Sequence, residues 1–161
     1  MKSQHIFPGV ILIGFGLYFF MQQNSIALFD GFYSWPTLLG IVGIAFLLQA
    51  YMGKEFDSIL PGVILFGFGL HFHVVGKLEI WPNDIGVFIL IIALGFILRG
   101  NKTKKGMFHG ILLLIVSILL LFYDRIFKMM GVLENGMDTA LKFWPFVLIA
   151  IGLYVMFIRK K

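Results

Sequence analysis

The sequence predicts an all-α membrane protein with six short transmembrane helices, laid out as three tandem two-helix hairpin repeats. Three observations predict it. Of the 161 residues 60% are hydrophobic and 13% charged, against about 25% charged in a soluble domain. Apolar runs of sixteen to eighteen residues recur along the whole chain and leave too little polar sequence to cover a core of that size. Finally, PGVILIGFGLYFF (8–20) returns as PGVILFGFGLHFH (61–73), with ten of thirteen positions identical.

The runs between polar breaks are 6–21, 36–52, 59–75, 81–98, 107–123 and 143–158. Seventeen helical residues reach about 26 Å against a hydrocarbon core of about 30 Å, so the bilayer thins locally or interfacial aromatics extend the span. Strands are disfavoured, because a barrel strand alternates apolar and polar residues and these runs are apolar on every side. The first run follows Lys2 and resembles a secretory leader with small residues at Ser25 and Ala27. Its internal twin at Pro61 cannot be a leader, so both are read as helices.

Spans one and three open with Pro8-Gly9 and Pro61-Gly62, and span five carries His109-Gly110 at the comparable place. Trp35-Pro36, Trp81-Pro82 and Trp144-Pro145 each open an even-numbered span. Proline suits a first helical turn, where its missing N–H would have no intrahelical partner, and Trp favours the membrane interface. The predicted units are therefore the hairpins 5–52, 58–99 and 106–159, each entered through Pro-Gly and re-entered through Trp-Pro. Duplicating a two-span hairpin preserves its orientation in the membrane.

Charge orients them. Lys2, Lys54, Arg99, Lys102, Lys104, Lys105, Arg159, Lys160 and Lys161 lie at the termini and in the even-numbered loops, while Lys77, Arg125, Lys128 and Lys142 lie in the odd-numbered ones. The positive-inside rule then places both termini in the cytoplasm and all three Trp-Pro pairs on the outer side. The net charge of +5 sits in short loops and ends. Anionic lipid head groups are thus the expected partner, and nucleic acid is not. RGNKTKKG (99–106), with Arg99, Lys102, Lys104 and Lys105, reads as a compact cytoplasmic loop that anchors topology and touches acidic lipid. The outer segment 124–142 reads as an interfacial helix through Ile126, Phe127, Met130 and Leu133, interrupted near Asn135-Gly136.

Reactive equipment is sparse. There is no Cys, hence no disulfide or thiolate metal site. The middles of the spans carry no ionisable residue, where a transporter or proton relay would keep one. Asp84, just after Trp81-Pro82, reads as a capping acid, and Gln49 and Ser117 as polar residues that hydrogen-bond between helices. His71 and His73, where the first copy has Tyr18 and Phe20, are two apart on a helix and point to different faces, so joint metal ligation is not expected. His5 and His109 belong to the opposite membrane face. Gly14-Phe15-Gly16 and Gly67-Phe68-Gly69 lack the strand and the Lys-Ser/Thr of a nucleotide loop. With Gly40 and Gly43 they read as helix-packing positions. No catalytic residue, cofactor or metal is expected.

At FWPFVLIAIGLYVMF (143–157) the sequence resembles the LiaI-LiaF-like transmembrane region of bacterial envelope-stress proteins. An aromatic-Trp-Pro opening followed by an aliphatic run and Gly-Leu is met by Trp144, Pro145, Gly152 and Leu153, and the Pro-Gly spans resemble the partner helices of the same hairpins. The resemblance implies a multi-span protein of a Gram-positive plasma membrane that anchors a phage-shock-type coat protein or restrains a sensor kinase. The chain ends at Arg159-Lys160-Lys161 without the soluble C-terminal domain of the kinase-restraining type. The expected function is accordingly a non-enzymatic scaffold, anchor or sensor, with an envelope-stress membrane or coat protein as partner and self-association permitted. The alternative is a small transporter or channel with its pathway between hairpins or at an oligomer interface, which saturable flux in liposomes, abolished by changing Asp84 or His71, would establish. A lipid-handling enzyme is a weaker third reading, since neither interface shows a polar site.

Overall fold

The computed structural model describes residues 5–75, 77–78, 81–123, 144–146 and 148–149. Among these, five α-helices and one turn of 3-10 helix carry the architecture, with no strand. The helices are α1 (Ile6–Gln23), α2 (Trp35–Met52), α3 (Ile59–Val74), α4 (Ile85–Thr103) and α5 (Met107–Leu121), and the 3-10 turn Phe56–Ser58 leads into α3. The first unit, Met1–Tyr123, holds all of them. In the second unit, Asp124–Lys161, residues 144–146 and 148–149 are helical. The rest of the predicted sixth span and the predicted interfacial helix of 124–142 lie outside the described residues.

Four helical segments are long and apolar enough to cross a membrane: α1, α2, Phe56–Val74 and α4, while α5 is an apolar helix of 15 residues. Pro8 and Pro61 each occupy the third position of their helices, inside the first turn where an absent N–H goes unmissed. Trp35-Pro36 opens α2 as expected, with Ser34 extended before it. Trp81-Pro82 does not open α4. That helix begins at Ile85, where Asp84 is the N-cap and its Oδ1 accepts from the Gly86 N–H at 3.1 Å, so Trp81 and Pro82 belong to the preceding turn.

The predicted cytoplasmic loop 99–106 is also shorter than expected. Residues 99–103 continue α4, which ends in a left-handed Lys104 (φ 60°), with Gly106 (φ 84°) turning the chain into α5. Lys102 sits in the last turn, where a cation complements the helix dipole.

Packing runs in series. α2 packs most extensively on α3 and α4 on α5, whereas α1 on α2 and α3 on α4 touch less widely. The tightest pairs therefore straddle the predicted hairpins, drawn together by the short connections on the Pro-Gly side. Glycine permits the approach: a Cβ at Gly43 would stand 2.3 Å from the backbone nitrogen of Phe66.

Contacts recur at matching helix positions. The fourth residues of α3 and α5, Gly62 and Gly110, would bring a Cβ to 3.0 Å of Leu47 N and 2.9 Å of Ile97 N, and Leu47 and Ile97 are each the thirteenth residue of the helix before. Within the predicted hairpins, Gly14 and Gly67, each the ninth residue of its helix, would meet Cγ2 of Ile41 and Ile91 at 2.5 Å. Ile41 and Ile91 are both seventh in α2 and α4. Register thus counts from the helix starts, not from the Trp-Pro pairs.

Candidate functional site

Polar side chains gather at the two ends of the helices. At the Pro-Gly end Gln49 is buried in α2, accepting the Phe7 N–H at Oε1 (2.9 Å) and donating through Nε2 to Glu55 Oε2 (2.6 Å). It satisfies an N-terminal amide of α1 that the helix cannot. This is the interhelical bond expected of Gln49. Ser117, also buried, instead donates to Leu114 O within α5. Arg99 places Nε and Nη2 on Asp57 Oδ1 at 2.9 and 2.6 Å, tying α4 to the turn before α3. Of the four basic residues expected to touch lipid, Arg99 is thus paired, while Lys102, Lys104 and Lys105 stand exposed.

At the Trp-Pro end the loop between α1 and α2 folds over an aromatic cluster. Tyr18 is buried beneath Phe32 and Tyr33, Phe29 stands edge-on to Phe32, and the Tyr33 hydroxyl donates to Ile26 O. The two histidines of α3 turn to different partners. Trp81 Nε1 donates to His71 Nδ1 at 3.0 Å, which puts the His71 proton on Nε2. His71 is 1% exposed, its Nε2 has no hydrogen-bond partner, and its ring packs edge-on against Phe88 at 4.7 Å. His73 Nε2 lies 2.8 Å from Thr37 Oγ1. The Thr37 hydroxyl donates to Phe32 O at 2.5 Å, so His73 is the donor in that pair. Among the described residues no group of three His, Asp or Glu is placed to hold a metal ion.

Two further surfaces stand out, the first without a counterpart among the expected sites and the second formed by glycines expected to mark a helix start and to pack against a helix. The first is an apolar groove of about 380 Å³ between α1 and α3, floored by α2 and roofed by Phe29 and Phe32. Tyr18, Thr37 and His73 are the side chains in its wall that carry a polar atom, and what the wall exposes to the groove is almost entirely apolar. Lys77 Nζ stands 4.9 Å above the Phe29 ring and donates to Asp30 O at 2.5 Å. The second is a face of α1. Its fourth and eleventh residues, Gly9 and Gly16, have nothing within 4 Å of a built Cβ. The same positions in α3, Gly62 and Gly69, press on α2, where a Cβ at Gly69 would meet Pro36 O at 2.7 Å and Gly40 N at 2.9 Å. The pattern of this face is written in the duplicated PGV…GFG segment. The groove is not, because it forms between residues distant in sequence.

Of the expected helix-start markers, the structure joins Pro36 to Gly69 and Trp35 to Phe72, and Trp81 to His71. Pro82 lies in the turn after Trp81. In the second unit Trp144 and Pro145 are helical and Trp144 is exposed.

A serial stack of apolar helices, four of them long enough to span a bilayer and exposing large hydrophobic side chains along α1, defines an integral membrane protein. Residues 6–47, which are α1 and most of α2, match the LiaI-LiaF-like transmembrane region. The chain is similar to the uncharacterized membrane protein YsxD of Bacillus subtilis (strain 168), 31% identical over 168 residues that cover 100% of this chain and 98% of that protein. The chain belongs to the LiaI-LiaF-like transmembrane family. No solved structure matches it.

Proposed function

We propose that this protein is a non-enzymatic scaffold or anchor in the plasma membrane, acting in the cell-envelope stress response, with both termini cytoplasmic and the hairpins 5–52, 58–99 and 106–159 as its repeats. The observation that carries the reading is the open face of α1. In α3 and α5 the fourth and eleventh positions carry Gly62 and Gly69, Gly110 and buried Ser117, and the glycines at position four seat each helix on the one before it. α1 carries the same small residues and, among the described residues, has no neighbour there. A helix built to receive another in lipid, where association rests on close packing, thus presents that surface to the bilayer. Family membership and the recurring register support the repeat and the envelope setting.

The polar residues inside the spans support a structural role over transport. Gln49, Thr37 and His73 are engaged in bonds between elements, Ser117 bonds within α5, and the surface the groove presents is apolar, while His71 Nε2 is the buried polar atom left without a partner among the described residues. Because the chain has no Cys, a single Gly16→Cys variant tests the reading in living cells. Labelled at that cysteine with a maleimide–benzophenone, irradiated during exposure to an envelope-active antibiotic and then purified, it is expected to carry a second envelope-stress membrane or coat protein. Recovery of no such adduct, with the variant inserted and abundant, removes the scaffold reading.

A further inference from the structure

The groove between α1 and α3 has a shape and a chemistry that select its occupant. It runs along α2 from Ile44 to Thr37, seven residues and so about 10 Å, within one half of a 30 Å hydrocarbon core. Its volume of about 380 Å³ lies in the range of small-ligand sites. A polar ligand finds little to bond to, because the wall exposes almost no polar surface: Thr37 and His73 are turned to each other and to Phe32 O, and Tyr18 is buried with its ring against Phe32 and Tyr33. Leu17, Met21, Ile44, Phe66 and Leu70 offer hydrocarbon alone.

At the loop end the chemistry changes within one ring. Phe29 lines the groove on one side and carries the Lys77 ammonium over its face. Lys77 is exposed and spends one of its three N–H donors on Asp30 O, leaving two for an anion. A cation at the mouth of an apolar slot, at the depth where the α1–α2 loop meets the membrane surface, complements a molecule with one hydrocarbon chain in the slot and a phosphate at its rim.

We propose that this groove binds one anionic glycerophospholipid, one of its two acyl chains lying between α1 and α3 and its phosphate held by Lys77. The site is separate from the Gly9 and Gly16 face, which points away from α2, and does not depend on what docks there. Gly40 supplies a clean test, because it lines the groove and a built Cβ there meets nothing within 4 Å. Gly40→Leu therefore starts its side chain in open groove space and extends it into the slot.

The full chain, purified in detergent, is supplied with equal amounts of phosphatidylglycerol and phosphatidylcholine, delipidated stepwise, and read by native mass spectrometry. The expected result is one retained phosphatidylglycerol, favoured about tenfold over phosphatidylcholine. Gly40→Leu is expected to lose the retained lipid, and Lys77→Gln to keep one lipid while losing the preference. Leu17→Trp, at the exposed edge of the slot, serves as a second filling variant should Gly40→Leu fail to insert. Retention of the same lipid by a filled variant, or an unchanged preference in Lys77→Gln, overturns the proposal.

Discussion

Gln49 and His71 are both buried polar side chains on membrane helices, yet they are used in opposite ways. Gln49 has a partner at each end of its amide, and both partners lose their bond if it is removed. His71 accepts one bond from Trp81, which is 40% exposed at the helix end, and its other nitrogen has no partner. Replacing one member of a buried bonded set costs more than removing a group that was already unsatisfied. Gln49→Leu is therefore expected to lower unfolding stability in detergent micelles by about 1–2 kcal/mol, and His71→Phe by less. Equal losses, or a larger one at His71, would contradict this account of the two ends.

The elements show how far local sequence reaches. Apolar length and the Pro-Gly doublets locate the starts of α1 and α3, and Trp35-Pro36 locates α2, because each device acts within one turn. Trp81-Pro82 misleads for a physical reason: an interfacial Trp and a ring-fixed φ suit a turn as well as a first helical residue. The true start was written in Asp84, whose carboxylate caps Gly86. Likewise residues 99–103 are polar enough to read as loop, yet Lys102 at the helix end is favoured by the dipole. Helix pairing was legible in part, through glycines whose helix positions repeat, whereas the groove, the Thr37–His73 pair and the Lys77 perch arise only when α1, α2 and α3 meet.

The same glycines give an element-scale prediction. Gly69→Leu must push a side chain into the backbone of α2, against Pro36 O and Gly40 N, an overpacking worth about 1–3 kcal/mol or more. Gly16→Leu meets open space. In unfolding measurements on the purified chain, Gly69→Leu is expected to be strongly destabilised and Gly16→Leu close to the parent. Similar losses in both would mean that α1 already packs as α3 does.

Within the first unit, which carries most of the molecule's described residues, the helices pack in series, each against its neighbours in order, with contacts at recurring helix positions. Such an array has an edge, and α1 is the described edge. A stack of this kind suits the proposed anchoring role, since among its described polar side chains Gln49, Thr37 and His73 are bonded to neighbouring elements and His71 alone keeps a buried nitrogen without a partner. Lys102, Lys104 and Lys105 are exposed at the end of α4, at the same end of the helices as Lys54, and are the residues through which the proposed attraction to anionic lipid would act.

That threading is open to a direct measurement. Without native Cys, single cysteines at Asn24 and Leu78, both exposed between helices, are expected to react with a membrane-impermeant maleimide on intact cells. Cysteines at Lys54 and Lys105 are expected to react only after permeabilisation. Labelling of positions 24 and 54 from the same side would mean that α2 does not cross the bilayer, and the hairpin array could not stand.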